Sequence, residues 1–360
     1  MRIGIIGCGA ISGIYFDNLA RFEGLTVVGC ADLDLRRASE VAERREMRTI
    51  RVEEMLADPN IDLILNLTVP RAHHEVSLRA LNAGKHVYSE KPLSILRDHA
   101  EELLEVAAEK GLRVGCAPDT FLGAAHQTCR KLMDEGAIGK PVGANMFMLC
   151  PGHESWHPSP QFYYEWGGGP LYDMGPYYLT VLVSLLGPLS TVMGMTRTTH
   201  AQRTITSRPR YGEVIEVETP THMVSLLGFE DGAIAQLTTS FDVCASELPP
   251  IEIYGTEATL SVPDPNGFGG TVRIKRAGEE VWTEVPHTHP YPDNSRGLGV
   301  WDMAQAIDEG RPHRASAEVA MHVVDIISAV DESASEGRAI KLGSVPARPE
   351  PMPALDAARD

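Results

Sequence analysis

The chain has 360 residues, 43% hydrophobic and 22% charged, which suits a globular protein of two domains. Its formal net charge of −17 argues against nucleic acid or an anionic membrane as partner, because both require a basic surface. The six cysteines show no CxxC spacing, and no apolar run reaches the ~20 residues of a membrane span. We therefore expect a cytoplasmic protein with reduced thiols and no metal site.

The first 120 residues alternate between short apolar runs and helical patterns. The runs and the helices that follow them are 2–9 and 10–22, 25–34 and 36–46, 62–70 and 72–84, and 86–92 and 99–111, with a last strand at 112–118. This alternation is typical of a doubly wound α/β fold with a parallel sheet. It predicts a Rossmann dinucleotide-binding domain over residues 1–120.

The pattern changes after residue 120. A helix at 127–139 is followed by six runs with β alternation, separated by turn residues, which predicts antiparallel hairpins. We expect a C-terminal α+β domain over 121–343 with a large open, mostly antiparallel sheet of about six strands. Helices at 174–186, 296–309 and 316–336 should cover one face of that sheet. Residues 344–360, rich in proline and alanine, should form an extended tail.

A glycine-rich turn, GCGAIS at 7–12, lies between the first predicted strand and helix. Gly7 permits a tight turn, and Gly9 lets the backbone approach a pyrophosphate at the helix N-terminus. Ser12 stands where a third glycine is usual, and a small residue there still allows close packing of strand and helix. The predicted cofactor contacts in this turn are Gly7, Gly9, Ala10, Ile11 and Ser12.

An acid, Asp32, ends the second predicted strand twenty residues after Ser12, about where the ribose hydroxyls of a dinucleotide should lie. A carboxylate there accepts hydrogen bonds from the 2′-hydroxyl and repels a 2′-phosphate, so NAD is favoured over NADP. Arg36 and Arg37 follow closely and could instead accommodate a phosphate, which leaves NADP as the alternative.

Two further segments resemble a known family. In residues 66–94, Thr68, Pro70, His73 and the sequence EKP at 90–92 match conserved elements of the glucose–fructose oxidoreductase, inositol dehydrogenase and MocA-type (Gfo/Idh/MocA) family. The sequence GGGPLYDMG at 167–175 matches a second element of the same family. The resemblance spans nearly the whole chain and includes the predicted order of the two domains.

The resemblance implies a nicotinamide-dependent oxidoreductase of sugars, polyols or related hydroxyl compounds, assembled as a homo-oligomer through its sheet domain. Lys91 is similar to the lysine that holds the reacting oxygen beside the nicotinamide. A cis peptide bond before Pro92 is often present in the family. The other residues that the resemblance implies as neighbours of the cofactor are Thr68, Pro70, His73 and Glu90.

The residue at position 177 departs from the family pattern, in which a histidine usually follows the D-x-G element as proton carrier. Here Tyr177 takes that place, four residues after Asp173. A lysine ammonium about 4 Å from a phenol would favour the phenolate by about 4 kcal/mol at an effective dielectric of 20. A pair of Lys91 and Tyr177 could therefore act near neutral pH, with Asp173 as the rival base. Alternatively, Asp173 is only a helix N-cap and Tyr177 a packing residue.

The loop at 151–169 is rich in aromatic residues and precedes the catalytic element. Aromatic faces suit the C–H surfaces of sugar rings, so Trp156, His157 and Tyr163 are candidate substrate contacts. Packing on the core or on a subunit partner is the alternative. His153 and His157 lie four residues apart, but no carboxylate pattern accompanies them, so no metal site is predicted.

Asp119 follows the last strand of the first domain, where a parallel sheet opens its crevice, and is a further candidate substrate contact. Downstream, Asn294 is expected to cap the helix at 296–309.

The sequence leaves three functions open. The first is NAD-linked oxidation of a secondary alcohol on a sugar, glycoside or cyclic polyol. The second is an NAD-dependent glycoside hydrolase, which oxidises the sugar ring transiently without net redox change. The third is a non-catalytic dinucleotide sensor, which needs Gly7, Gly9 and Asp32 but not Lys91.

Overall fold

The computed structural model describes residues 1–355, which form two compact units. The first comprises residues 1–122 and 294–324, and the second comprises, among the described residues, 123–293 and 325–355. The α-helices of the described residues, α1 to α9, are Ser12–Leu19, Leu35–Arg44, Val52–Ala57, Pro70–Asn82, Arg97–Lys110, Ala124–Asp134, Gly169–Leu186, Leu298–Glu309 and Ala317–Glu336. The strands, β1 to β17, are Arg2–Ile6, Thr26–Ala31, Arg48–Thr49, Leu63–Asn66, His86–Ser89, Val114–Cys116, Pro141–Leu149, Leu189–Arg197, Gln202–Thr204, Val214–Glu216, His222–Phe229, Ile234–Ser240, Ile251–Gly255, Ala258–Val262, Val272–Arg276, Thr283–Val285 and Ile340–Lys341.

The first unit contains a six-stranded sheet of order β3-β2-β1-β4-β5-β6, in which every pair is parallel. The central strand β4 is buried throughout, as expected for a parallel strand covered on both faces. The carboxyl ends of β1 and β4 lie side by side, because Ile6 pairs with Asn66. The predicted Rossmann fold is therefore confirmed.

Residues 294–324 belong to the first unit, whereas the sequence assigned them to the second domain. The cause is the exposed edge of β6. The Cys116 N–H donates to the Ala315 carbonyl oxygen at 3.0 Å, and Gly115 forms an antiparallel bridge with Ser316. The chain after α8 thereby pairs with an edge that would otherwise stay open. Helix α8 therefore belongs to the first unit, whereas it was expected to cover a face of the second sheet.

The second unit contains a nine-stranded sheet of order β16-β15-β14-β13-β7-β12-β11-β8-β17. All pairs are antiparallel except β7 with β12, so the predicted open, mostly antiparallel sheet is confirmed. The sheet has more strands than expected because the run at 251–262 folds into two, β13 and β14, and because short strands were missed. Strands β9 and β10 form a separate two-stranded ribbon.

Helix α7 packs against strands β7, β11 and β12 of this sheet. Leu179, Leu182 and Val183, whose spacing would suit one apolar face, are buried, but so is the rest of the helix from Gly175 onward. An α-helix that is apolar all round is expected to be buried all round. No helix in residues 1–355 is both long and apolar enough to cross a bilayer.

The predicted tail is only partly described. Residues 345–355 have no regular secondary structure, in keeping with an extended segment. They are nevertheless attached to the second unit, because Met352 is buried and its N–H donates to Gln127 Oε1 at 2.7 Å. Residues 356–360 of the predicted tail lie outside the described residues.

Candidate functional site

The glycine turn after β1 has the geometry that the sequence predicts. Gly7 has φ +107°, and a Cβ there would stand 2.5 Å from the carbonyl of Leu67, so no other residue fits. A Cβ on Gly9 would meet no atom within 4 Å. Ser12 closes the turn, because its hydroxyl donates to the Gly9 carbonyl oxygen at 2.8 Å. Gly9 and Ala10 are exposed and Ile11 is half-buried, so their amides are accessible to a phosphate.

Asp32 lies at the carboxyl end of β2, with its carboxylate fixed by backbone donors. Its Oδ2 accepts the Cys8 N–H and its Oδ1 the Asp34 N–H, both at 2.9 Å. The guanidinium of Arg37 lies 3.5 Å from Oδ2, whereas Arg36 pairs with Glu40 on the exposed side of α2. Of the two arginines, only Arg37 therefore faces the candidate ribose site.

A cavity of about 390 Å³ opens beside this carboxylate. It is lined by the turn and by the segment after β4, including Gly7, Gly9, Asp32, Thr68 and Val69. An open concavity with two glycines, an acid and apolar walls fits the adenosine and pyrophosphate part of a dinucleotide. The residues present thus suit NAD.

The segment after β4 is held by a buried asparagine that the sequence analysis did not single out. Asn66 Oδ1 accepts the Thr68 hydroxyl at 2.6 Å, and its amide nitrogen donates to the His73 carbonyl oxygen at 3.0 Å. Pro70 occupies the first turn of α4, where its missing N–H leaves no bond unmade. Thr68 lines the cavity, and Pro70 fixes the start of the adjoining helix.

His73 has a different environment from the one expected of a cofactor neighbour. It is 1% exposed, and its ring nitrogens lie 2.7 Å from the Pro92 carbonyl oxygen and 3.0 Å from that of Thr68. Burial lowers the pKa of the imidazole, although both carbonyls oppose this effect. His73 therefore ties the segment after β4 to the segment after β5.

Glu90 is likewise engaged by the protein itself. Its Oε1 accepts the Tyr15 hydroxyl at 2.8 Å and its Oε2 accepts the Lys91 N–H at 2.9 Å. The peptide bond between Lys91 and Pro92 is cis, as the resemblance implied, and the Lys91 side chain is half-buried. Glu90 thus connects α1 to the turn that carries Lys91.

Asp119 does not have the position expected of a substrate contact. It is 1% exposed, and its Oδ2 accepts the N–H groups of Gly297 and Gly299, each at 2.9 Å. Burial raises its pKa to about 6, and these backbone donors reduce that shift. Asp119 thereby caps the N-terminus of α8, the role that was expected of Asn294. The N-cap residue is Gly297, and Asn294 Oδ1 accepts from the Arg296 guanidinium at 2.9 Å.

In the second unit, α7 begins at Gly169, earlier than predicted. Gly169 has φ +87°, and a Cβ there would lie 2.8 Å from the Pro220 carbonyl oxygen. Asp173 is inside the helix, so it is not the N-cap, and Pro176 is interior rather than in the first turn. Asp173 and Tyr177 are one turn apart and share a face of α7.

These two residues differ in exposure. The side chain of Asp173 is 20% exposed, whereas Tyr177 is 6% exposed. The neighbouring Tyr178 points elsewhere, since its hydroxyl donates to the Phe147 carbonyl oxygen at 3.2 Å. Tyr177 and Tyr178 are therefore adjacent in sequence but have separate surroundings.

The loop before α7 brings its aromatic candidates together around a histidine. The imidazole of His153 lies 4.1 Å from the ring of Tyr163 and 5.3 Å from that of Trp156, measured between centroids. His157 contacts both of those rings. We refer to this group of residues 153–163 as the aromatic cluster.

His153 also reaches α7, a contact that the sequence analysis missed. Its Nε2 lies 3.8 Å from Asp173 Oδ2. No local signal could have indicated this pair, because it joins an irregular loop to the second turn of a helix.

A buried arginine holds the loop in place. Arg203, in β9, donates to Glu154 Oε1 at 2.7 Å and forms a second ion pair with Asp242. Glu154 also accepts the Tyr164 hydroxyl at 2.7 Å. This network joins the loop to the ribbon and to the end of β12. Among residues 1–355, no three metal-ligating side chains come close enough together to bind a metal ion.

The fold, the glycine turn and the fixed acid define the first unit as an NAD-binding domain of an oxidoreductase. Comparison with known sequences agrees: residues 1–117 match the oxidoreductase family with an NAD-binding Rossmann fold, and residues 126–261 match the GFO/IDH/MocA C-terminal domain. The chain belongs to the GFO/IDH/MocA oxidoreductase family.

Two curated relatives and one solved structure illustrate the similarity. This chain is 32% identical to 1,5-anhydro-D-fructose reductase of Ensifer adhaerens. The match covers 48% of this chain and only 53% of the length of that relative. It is 23% identical to myo-inositol 2-dehydrogenase of Thermotoga maritima, over 72% of this chain and 74% of that one. A levoglucosan dehydrogenase complex with NADH and L-sorbose has the same fold, with a TM-score of 0.82 at 19% identity, over 96% and 99% of the two chains.

Proposed function

We propose that this protein is an NAD-dependent dehydrogenase that transfers a hydride between the nicotinamide and a secondary hydroxyl of a sugar, glycoside or cyclic polyol. The observation that carries the proposal is the shared face of α7. There Asp173 and Tyr177 lie one turn apart, and the aromatic cluster contacts Asp173. Removal of a hydride from a carbinol requires a group that accepts the hydroxyl proton, and this face offers two.

The proposed roles follow from the chemistry of each side chain. Bound NAD supplies the hydride acceptor. Lys91 holds the reacting hydroxyl oxygen and stabilises negative charge on it. Tyr177 or Asp173 takes the hydroxyl proton.

The aromatic cluster supports a carbohydrate-like substrate. Trp156 is 60% exposed, and with His157 and Tyr163 it offers ring faces for C–H surfaces and polar tips for hydroxyls. The two relatives named above are called after 1,5-anhydro-D-fructose and myo-inositol, both of which are polyhydroxylated. We propose that Trp156, His157 and Tyr163 contact the substrate and that Asp119 does not.

We further propose that NAD is preferred over NADP. The carboxylate of Asp32 is fixed by two N–H donors and would repel a 2′-phosphate. Arg37 is already paired with that carboxylate, which reduces its ability to bind a phosphate. The proposed cofactor contacts are the glycine turn at 7–12, Asp32 and Thr68. His73, Glu90 and Pro70 position these residues.

The direct experiment is a panel of sugars, cyclic polyols and glycosides with NAD or NADP, followed by NADH or NADPH absorbance and by product analysis. We expect reduction of NAD by at least one member, with kcat/KM for NAD at least about tenfold above that for NADP. The Asp32→Ala variant should lose that preference. Release of a sugar from a glycoside without net NADH would instead indicate the glycoside hydrolase.

Lys91→Ala separates an enzyme from a dinucleotide sensor. We expect kcat/KM to fall by about 100- to 1,000-fold while NADH binding, measured by fluorescence titration, is retained. Turnover unchanged by this variant would contradict the role of Lys91. NADH binding with no turnover of any compound by the wild type would favour the sensor.

We also propose a homo-oligomer formed through the open face of the second sheet. Met193 and Met195 on β8, Leu226 on β11 and Ile234 on β12 are exposed apolar side chains on that face, and Leu226 pairs with Met193. Light scattering should give a dimer or tetramer, and a Met195→Lys, Leu226→Lys double variant should be a monomer. A monomeric wild type would contradict this.

The six free cysteines fit a reducing cytoplasm, which is the location we propose.

A further inference from the structure

The imidazole of His153 is held on several sides by aromatic rings. Its centroid is 4.1 Å from that of Tyr163, 4.5 Å from that of Phe241 and 5.3 Å from that of Trp156. The residue is 9% exposed, and its backbone N–H donates to the Tyr164 hydroxyl at 3.2 Å. The ring is therefore fixed in place at the side of α7.

The orientation of this ring brings one nitrogen towards the catalytic helix. Nε2 of His153 lies 3.8 Å from Oδ2 of Asp173, which is within ion-pair range. A carboxylate at this distance favours the imidazolium, whereas the low exposure of the ring favours the neutral imidazole, so the ring can exchange a proton with Asp173. Asp173 in turn shares its face of α7 with Tyr177.

The other charged groups near His153 form hydrogen bonds or ion pairs with residues other than His153. Arg203 bridges Glu154 and Asp242, and the Tyr164 hydroxyl donates to Glu154. Nδ1 of His157 accepts the Ser159 N–H at 3.0 Å. The titratable and charged groups around His153 are Asp173 from α7, Asp242 after β12, Arg203 from β9, and Glu154, His157, Tyr163 and Tyr164 from the loop itself.

We propose that His153 is a positioning residue that acts through Asp173, accepting the substrate proton from it and holding that proton during oxidation. The inference rests on the dehydrogenase function proposed above. In this proposal the loop before α7 supplies the imidazole through His153, because α7 itself has a tyrosine at position 177, where the family usually has a histidine.

Oxidation removes a hydride and a proton from the substrate, and bound NAD would accept the hydride with the electron pair of the C–H bond. The O–H bond breaks, and its proton passes to Asp173, directly or through Tyr177. Asp173 then gives the proton to Nε2 of His153, so the carboxylate is restored and an imidazolium stands beside it. The imidazolium later releases the proton to solvent, and the reverse sequence serves reduction.

Kinetics of His153→Phe test the proposal, because phenylalanine keeps a ring in the cluster but carries no proton. We expect kcat to fall by about 100-fold with KM nearly unchanged, and the acid limb of the kcat pH profile to disappear. Added imidazole should partly restore kcat in His153→Ala. Phe241→Leu is the packing control, and its pH profile should match the wild type. A kcat and pH profile of His153→Phe equal to those of Phe241→Leu would overturn the proposal.

A second measurement does not depend on turnover. NMR titration of histidine-labelled protein should show that Asp173→Asn lowers the pKa of His153 by about one pH unit or more. If circular dichroism shows that the Asp173→Asn variant does not fold, the Asp173→Ser variant is used in its place. A pKa of His153 that is the same in the variant and the wild type would contradict an interaction between His153 and Asp173. If the wild type oxidises no compound of the panel, the proposed function fails, and the titration still decides whether the pair exists.

Discussion

The cofactor region of the first unit and the proposed catalytic region of the second are built in different ways. In the first, Gly7, Ser12 and Asp32 are positioned by backbone bonds within one strand–turn–helix unit and its neighbouring strand. In the second, His153 and Glu154 are positioned by side chains from distant parts of the chain, with Arg203 at the centre.

This difference determines what each region tolerates. A site made of backbone amides depends on local conformation, so substitutions that change φ or fill space at a glycine should damage it. A site held by buried ion pairs depends on the completeness of a charge network. Loss of one partner leaves the others buried without compensation.

The largest effect on stability should come from the charge network. Arg203→Met leaves Glu154 and Asp242 without their guanidinium, so the free energy of unfolding should fall by about 3–5 kcal/mol in chemical denaturation. The aromatic cluster should also loosen, which would raise KM. Arg210→Met is the control, because its ion pair with Glu213 lies at the surface, and it should cause little change. Equal effects of the two variants would contradict a structural role for Arg203.

The sequence was sufficient for the first of these regions. The glycine turn and the acid after β2 depend on neighbouring residues and were correctly predicted, whereas the cis bond before Pro92 was implied by the family resemblance. Local patterns also located α7, although its start was placed too late because Pro176 was expected in the first turn. Pro170 occupies that position instead.

Contacts between distant residues account for what the sequence did not reveal. Asp119 looked like a ligand because it follows a parallel strand, yet the structure uses it to cap α8, which lies far along the chain. The pair of His153 and Asp173 depends on how an irregular loop folds against a helix. No periodicity encodes either contact.

Asp119 gives a prediction on pH dependence within the first unit. Burial raises its pKa from 3.8 to about 6, so the folded state favours the neutral acid. Folding stability contributed by this group is therefore present below pH 4 and is lost as pH rises towards 6. The loss should amount to about 3 kcal/mol, from 1.36 kcal/mol per pKa unit.

The Asp119→Asn variant tests this prediction because it remains neutral. The difference between its free energy of unfolding and that of the wild type should grow by about 2 kcal/mol between pH 4 and pH 7, because part of the stabilisation of the wild type is already lost at pH 4. Denaturant titrations at both pH values measure the difference. A difference that stays constant over this range would show that Asp119 does not titrate as described.

A smaller effect on stability distinguishes Gly7 from Gly9 in the glycine turn. Gly7→Ala places a Cβ against Leu67 at a positive φ, so stability should fall by about 2 kcal/mol and NADH binding should weaken. Gly9→Ala meets open space, so its stability should match the wild type while NADH binding still weakens. Denaturation and fluorescence titration test each variant. Unimpaired NADH binding by Gly9→Ala would contradict the proposed phosphate approach.

The most direct test of the account compares two adjacent tyrosines of α7 under steady-state conditions with the best substrate of the panel. Tyr177→Phe should lower kcat by about 100-fold, because we propose that its phenol is the first acceptor of the hydroxyl proton. Tyr178→Phe should keep nearly full kcat, because its hydroxyl only donates to the Phe147 carbonyl oxygen. Equal activity of the two variants would contradict the assignment of Tyr177 to the catalytic face.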